Sequence, residues 1–194
     1  MKNWFALLCA LPLVAVAAPE RIVALGGDVT EIVYALGAES SLVARDSTSQ
    51  WPQATNALPD VGYLRQLNAE GILSVRPTLV LASDQAQPSL ALKQVEQSHV
   101  RVVTVPGRND LSIIDEKVRV IANATHHEAE GEALRHTLRQ ALAALPSTPL
   151  NKRVLFILSH GGMTAMAAGQ QTGADAAIRA AGLQNALLGF TRYQ

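Results

Sequence analysis

Cysteine is almost missing from this sequence: 194 residues contain one, Cys9. It sits in a leader-like segment with Leu8, a large residue, before it. That context does not suit lipoprotein processing, so Cys9 is read as removed with the leader. The remaining chain then has neither disulfides nor thiolate metal sites. Charge of one sign is also missing, with Lys+Arg 16 set against Asp+Glu 16. Nothing in that balance attracts nucleic acid or an anionic membrane surface. Aromatic residues make up 4% and include three tyrosines. No apolar run beyond the N-terminus reaches the roughly 20 residues a membrane span requires. The common enzyme signatures are absent too. "ALGGDVTE" lacks the third glycine and the acidic partner of a dinucleotide site, and there is no G-x-x-x-x-G-K-[ST], H-E-x-x-H or G-x-S-x-G.

The N-terminus has the features of a signal peptide: Lys2, an apolar run from Trp4 to Val16, and the A-x-A pattern Ala15-Val16-Ala17. Cleavage near Ala17 would place the rest of the chain outside the cytoplasm. From there, strand-like and helix-like runs alternate. "RIVAL" (21–25), "LVARD" (42–46), "TLVLAS" (78–83) and "VRVVTVP" (100–106) read as strands. They are continuous apolar runs, as expected of parallel strands covered on both faces. Between them, "DVTEIVYALG" carries a capping-box pattern from Asp28 to Glu31 and a stop at Gly37, and "NAEGILSVRP" is capped by Asn68. "PSLALKQVEQSH" (88–99) completes the set, which predicts an α/β lobe with right-handed crossovers over residues 18–108.

Residues 109–150 read as linking helices. Leu111, Ile114, Val118 and Ile121 form one stripe, and Leu134, Leu138, Ala141 and Leu145 form a second after a break at Thr125-His126-His127. The second helix would run on the order of 25 Å, long enough to join two lobes. "KRVLFILS" (152–159) and "GADAAIRAAG" (173–182) restart the strand–helix pattern. The fold class is therefore α/β, with two Rossmann-like lobes of parallel sheet joined by a long helix. Residues 151–194 supply too few elements to bury a core and read as the truncated start of a second lobe. The alternative is a complete one-lobe protein with a helical tail.

Ligands of open α/β sheets sit beyond the carboxyl ends of the strands. That rule selects Gly26-Gly27, Asp46-Ser47-Thr48, Ser83-Asp84 and Pro106-Gly107-Arg108. The loop "DVGYLRQLNAE" reaches the same rim. Its Tyr63 is either an interfacial tyrosine half-packed on its lobe or a phenolate ligand for a hard ferric ion. A phenol ionises near pH 10 and needs help, which the guanidinium of Arg65 would supply. Tyrosine is one of the few protein ligands of haem iron. Gly62 leaves room for a flat macrocycle, and Arg65 suits a propionate. In "FILSHGGM", His160 follows a strand directly and either satisfies its own loop or faces the first lobe across a cleft. His126 and His127 read as a solvated turn.

These residues resemble the periplasmic haem-binding proteins of bacterial haem ABC importers, within the class that includes cobalamin and siderophore binders. The resemblance runs from Glu20 to the last residue and is carried by "GGDVTEIVYALGA", "LPDVGYLRQLNAEGILSVRPTLVLAS" and "SHGGMTAMAAGQQTGADAAI". It implies a non-enzymatic carrier with haem as the transported ligand, an inner-membrane ABC permease as partner, and an outer-membrane haem receptor system upstream. Tyr63 would be the axial ligand and Arg65 its support. His160 stands where some members hold a second haem iron, and Glu70 matches a permease-docking glutamate. The alternatives are a siderophore or cobalamin binder of the same fold and a small exported α/β enzyme.

Overall fold

A computed structural model describes residues 19–107, 109–145, 148–159, 162 and 164–194. The leader (1–17), Arg108, His160 and Met163 lie outside the described residues. Four strands, β1 (Ile22–Leu25), β2 (Leu42–Arg45), β3 (Leu79–Ser83) and β4 (Arg101–Val105), form a parallel sheet in the order β2-β1-β3-β4. Helices α1 (Gly27–Ala35), α2 (Ala69–Ser74) and α3 (Leu90–Gln97) are the crossovers. The two central strands are buried along their whole length, whereas β2 alternates and β4 has one fully buried residue, Val105. Apolar runs therefore mark all four strands, but only the central pair is covered on both faces.

Side chains of β1 alternate between two cores, as the period-2 pleat requires. Ile22 and Ala24 join Leu79, Leu81, Val29, Val33, Val118 and Ile121 on one face. Val23 and Leu25 join Val80, Ala82, Ile72, Leu92 and Val95 on the other. Each such aliphatic side chain contributes about 1.5–3 kcal/mol on full burial. These two apolar layers are the main adhesive of the fold.

Helices α4 (Ile113–Thr125) and α5 (Glu128–Ala143) come after the sheet. They meet at the expected break, where His126 adopts a left-handed backbone (φ 58°) and the His127 ring bonds the Thr125 carbonyl at 2.6 Å. Leu134 and Leu138 rest on the first core. Close to them Asp115 accepts from Arg135 and Arg139, each at 2.6 Å, and both arginines also bond Glu132. The bond from Arg135 comes first among the effects holding the Asp115 carboxyl below its ordinary range.

Four local expectations are corrected. Gly26, not Asp28, is the N-cap of α1; Asp28 lies in the first turn and pairs with Lys117 of α4. Helix α3 begins at Leu90, after Ser89 accepts from the Leu92 N–H at 3.2 Å. In α4 it is Ile113, not Ile114, that is buried, and Leu111 precedes the helix. The run 152–159 is not one strand. It divides into β5 (Arg153–Val154) and β6 (Ile157–Leu158), which pair with different partners.

Strand β6 is antiparallel to β7 (Met166–Ala167), and β5 is parallel to β8 (Gln184–Asn185). Between β7 and β8 lies α6 (Gly173–Ala180), capped by Thr172 through its bond from the Asp175 N–H at 3.1 Å. Burial pushes the Asp175 carboxyl up. Bonds from Asn185, the Gln171 N–H and Arg179 outweigh that and hold it below the ordinary value. Leu155, Phe156, Ile157 and Leu158 are all exposed.

Candidate functional site

The chain runs from β1 outward to β2, then crosses back to β3 on the opposite side of β1. The strand order reverses between β1 and β3, and a crevice opens there beyond the carboxyl ends, where ligands of such sheets bind. Its volume is about 280 Å³. Gly26, Gly27 and Asp28 line it from β1, Thr48 from β2, Tyr63, Leu64 and Arg65 from the following loop, and Ser83 and Gln85 from β3. Gly26, Gly27, Thr48 and Ser83 of the expected rim, with Tyr63 and Arg65, meet in this one crevice.

The tyrosine loop is held as an extension of β2. Arg45 and Asp60 form a parallel bridge, the Val61 N–H donates to the Arg45 carbonyl at 2.9 Å, and the Ser47 N–H donates to the Gly62 carbonyl at 3.0 Å. One Asp60 oxygen accepts from Ser47 Oγ and the Gly62 N–H, and the other pairs with Arg45 at 3.2 Å. Gly62 has φ +102°, a conformation L side chains rarely adopt. Val61 and Leu64 sink into the second core on either side, which leaves Tyr63 pointing outward, 44% exposed. Its phenol oxygen has no hydrogen-bond partner among the described residues.

Arg65 does not contact that phenol. Its Nη2 donates to Gln85 Oε1 at 3.1 Å, across the crevice. The support expected of Arg65 for Tyr63 is thus not made in this state. No carboxylate among the described residues pairs with Arg65, so its charge is uncancelled. The other charge at the crevice, Asp28, is matched by Lys117. The lining thus holds one carboxylate, already paired with a lysine outside the crevice, and one guanidinium with no carboxylate partner among the described residues.

Asp46 serves the site without touching it. It is fully buried. Oδ1 accepts from the Gly26 N–H at 2.9 Å and Ser49 Oγ at 2.6 Å; Oδ2 accepts from the Thr48 N–H at 3.1 Å and Thr48 Oγ1 at 2.7 Å. One carboxylate thereby fixes the turns after β1 and β2. Gly26 has φ +120°, which strains any other residue, and a Cβ there would stand tightly, 3.0 Å from that of Ser83. On the far side, Asp84 accepts from the Gly107 N–H at 2.8 Å and ties the β3 turn to the β4 turn.

The structure places Glu70 in the first turn of α2, exposed, with its N–H on Asn68 Oδ1 at 2.8 Å. His160 lies outside the described residues. Among the described residues there is no group of three or more His, Cys, Asp or Glu suited to a metal ion. The crevice instead offers the Tyr63 phenol oxygen, which has no partner among the described residues, and one cation, Arg65, beside Asp28, Thr48, Ser83 and Gln85, whose oxygens are already bonded. Gln85 was missed from sequence, where nothing distinguishes it from other loop amides.

Comparison with known proteins places the chain in a family. The periplasmic binding protein family profile matches residues 22–189. The structure resembles the periplasmic heme-binding protein RhuT from Roseiflexus sp. RS-1, with a TM-score of 0.86 and 35% identity, covering 91% of this chain and 70% of that one. It also resembles the periplasmic heme-binding protein HutB of Vibrio cholerae, with a TM-score of 0.81 and 38% identity, covering 91% and 70%. Among curated sequences, the vitamin B12-binding protein of Pectobacterium carotovorum is 28% identical over 142 residues, 73% of this chain and 50% of that protein. The chain spans about half the length of the curated relatives it matches.

Proposed function

We propose, because this chain belongs to the periplasmic binding protein family, that it carries haem to an inner-membrane ABC importer. The observation that carries the reading is Tyr63: an unpartnered phenol held at the switch-point crevice by a rigid loop, with a glycine before it and an uncancelled guanidinium two residues on. A ferric ion provides the charge that turns a phenol into a phenolate ligand, and tyrosine holds haem iron in this way. The Arg65 guanidinium, with no carboxylate partner among the described residues, suits a carboxylate of haem. The likeness to heme-binding proteins at 35% and 38% identity over nine-tenths of the chain supports the same ligand.

Cobalamin is the second reading, favoured by the curated relative named for vitamin B12. A parallel titration separates the two. Haemin added to the chain is expected to saturate with a shifted absorption band, and cyanocobalamin to bind at least about 100-fold more weakly, a difference near 2.7 kcal/mol. Equal or tighter binding of cyanocobalamin would reverse the assignment.

Glu70 fits permease docking by its exposure and by its position away from the crevice lining. Glu70→Ala is expected to leave the haemin titration unchanged and to reduce haem delivery to a reconstituted importer severalfold. Full delivery by that variant would remove Glu70 from the docking surface.

A further inference from the structure

Among the described residues, Gln85 joins the tyrosine loop to the opposite wall of the crevice by a side-chain hydrogen bond, accepted from Arg65 Nη2 at 3.1 Å. Both ends of that bond stand on fixed backbone. On the β3 side, Ser83 Oγ accepts from the Gln85 N–H at 3.3 Å, Asp84 is tied to the Gly107 N–H at 2.8 Å, and Ala86 is buried. On the other side Leu64 is buried, and the Gln66 N–H closes a turn on the Tyr63 carbonyl at 2.8 Å. Gln85 therefore limits where the Arg65 guanidinium can lie.

The chemistry of the partner matters as much as its place. An amide oxygen accepts a hydrogen bond without neutralising the cation, whereas a carboxylate there would cancel it. A guanidinium has five N–H donors, and Gln85 takes one. The others remain to meet a carboxylate on the ligand, the group whose flat two-oxygen geometry an arginine fork matches.

We propose that Gln85 is a positioning and specificity residue, holding Arg65 oriented over the crevice with its charge unpaired so that the site selects a tetrapyrrole with free carboxylates over its neutral ester. This rests on the haem reading above and adds to it the basis of discrimination.

The test compares haemin with haemin dimethyl ester, each titrated by absorbance into the parent chain, Gln85→Ala, Gln85→Glu, Arg65→Ala and the Arg65→Ala/Gln85→Ala double variant. The parent is expected to prefer haemin. Gln85→Ala should weaken haemin about tenfold, the scale of one charge-assisted hydrogen bond, and leave the ester within about twofold. Gln85→Glu, which keeps the acceptor but cancels the charge, should lose at least as much haemin affinity. The double variant should bind haemin no worse than Arg65→Ala, since Gln85 acts only through the arginine. Equal losses for haemin and ester, no loss for either, or additive losses in the double variant would each overturn the assignment while leaving the haem reading intact. A parent that binds neither form would end the haem reading, and this inference with it.

Discussion

Replacing Tyr63 with alanine is expected to weaken haemin binding by more than about 100-fold and to remove the spectral signature of a phenolate-bound ferric ion. The physical basis is that Tyr63 carries the crevice's side-chain oxygen without a partner among the described residues: Asp28 pairs with Lys117, Ser83 accepts from the Gln85 N–H and Gln85 accepts from Arg65. Gly26 and Gly27 present backbone, Thr48 has its hydroxyl on Asp46, and Arg65 is a cation. Loss of outer-shell support alone typically costs a metal site 10–100-fold, so deleting the ligand should exceed that range. Tyr63→Phe sharpens the test. It keeps the ring and its stacking surface and removes only the oxygen, so it should resemble alanine in spectrum while retaining more of the apolar contribution. A Tyr63→Ala variant with the parent's spectrum and affinity would place the ligand elsewhere.

The second large effect is on stability. Asp46→Ala is expected to cost about 3 kcal/mol or more, because four donors lose their acceptor inside the protein and each buried unsatisfied group costs about 1–3 kcal/mol. For a chain of this size that corresponds to a melting temperature lower by roughly 6–12 °C. Asp46→Asn should fall between the parent and the alanine variant, since its amide nitrogen faces donors it cannot accept from. Thermal melting by circular dichroism reads the result; a shift under about 2 °C for the alanine variant would show that water or a rearranged turn replaces the carboxylate. Because Gly26 depends on Asp46, haemin affinity should fall as well.

Much of this was legible in the sequence, for identifiable reasons. The strands β1 and β3 stand out because residues covered on both faces must be apolar throughout. The Asn68 cap stands out because its bond is local. Tyr63 was legible as a rim residue because crossover order fixes which ends of the strands face the ligand. What was not legible depends on contacts distant in sequence. Asp46 reaches Gly26, 20 residues away, and Arg65 reaches Gln85, also 20 residues away; neither pairing leaves a periodic trace. The D-x-x-E pattern at Asp28 fits a capping box, but where β1 ends sets the start of α1 two residues earlier. The run 152–159 misled because apolar composition records a demand for cover and does not say which strand supplies it. In the structure two short pieces share that run, and apart from the half-buried Val154 their side chains stay exposed.

All members of both hydrophobic cores, including the leucines of α5 that rest on the first, fall between Ile22 and Leu138. The sheet, its crossovers and the α4–α5 pair thus complete their apolar burial without a side chain from residues 150–194. In calorimetric terms, residues 19–143 are expected to melt as one cooperative transition whose apolar contribution comes from within those residues, even though the chain beyond α5 touches them, as where Asn109 donates to the Gln171 carbonyl at 3.0 Å. The crevice that holds Tyr63, Arg65 and Gln85 lies wholly within that transition.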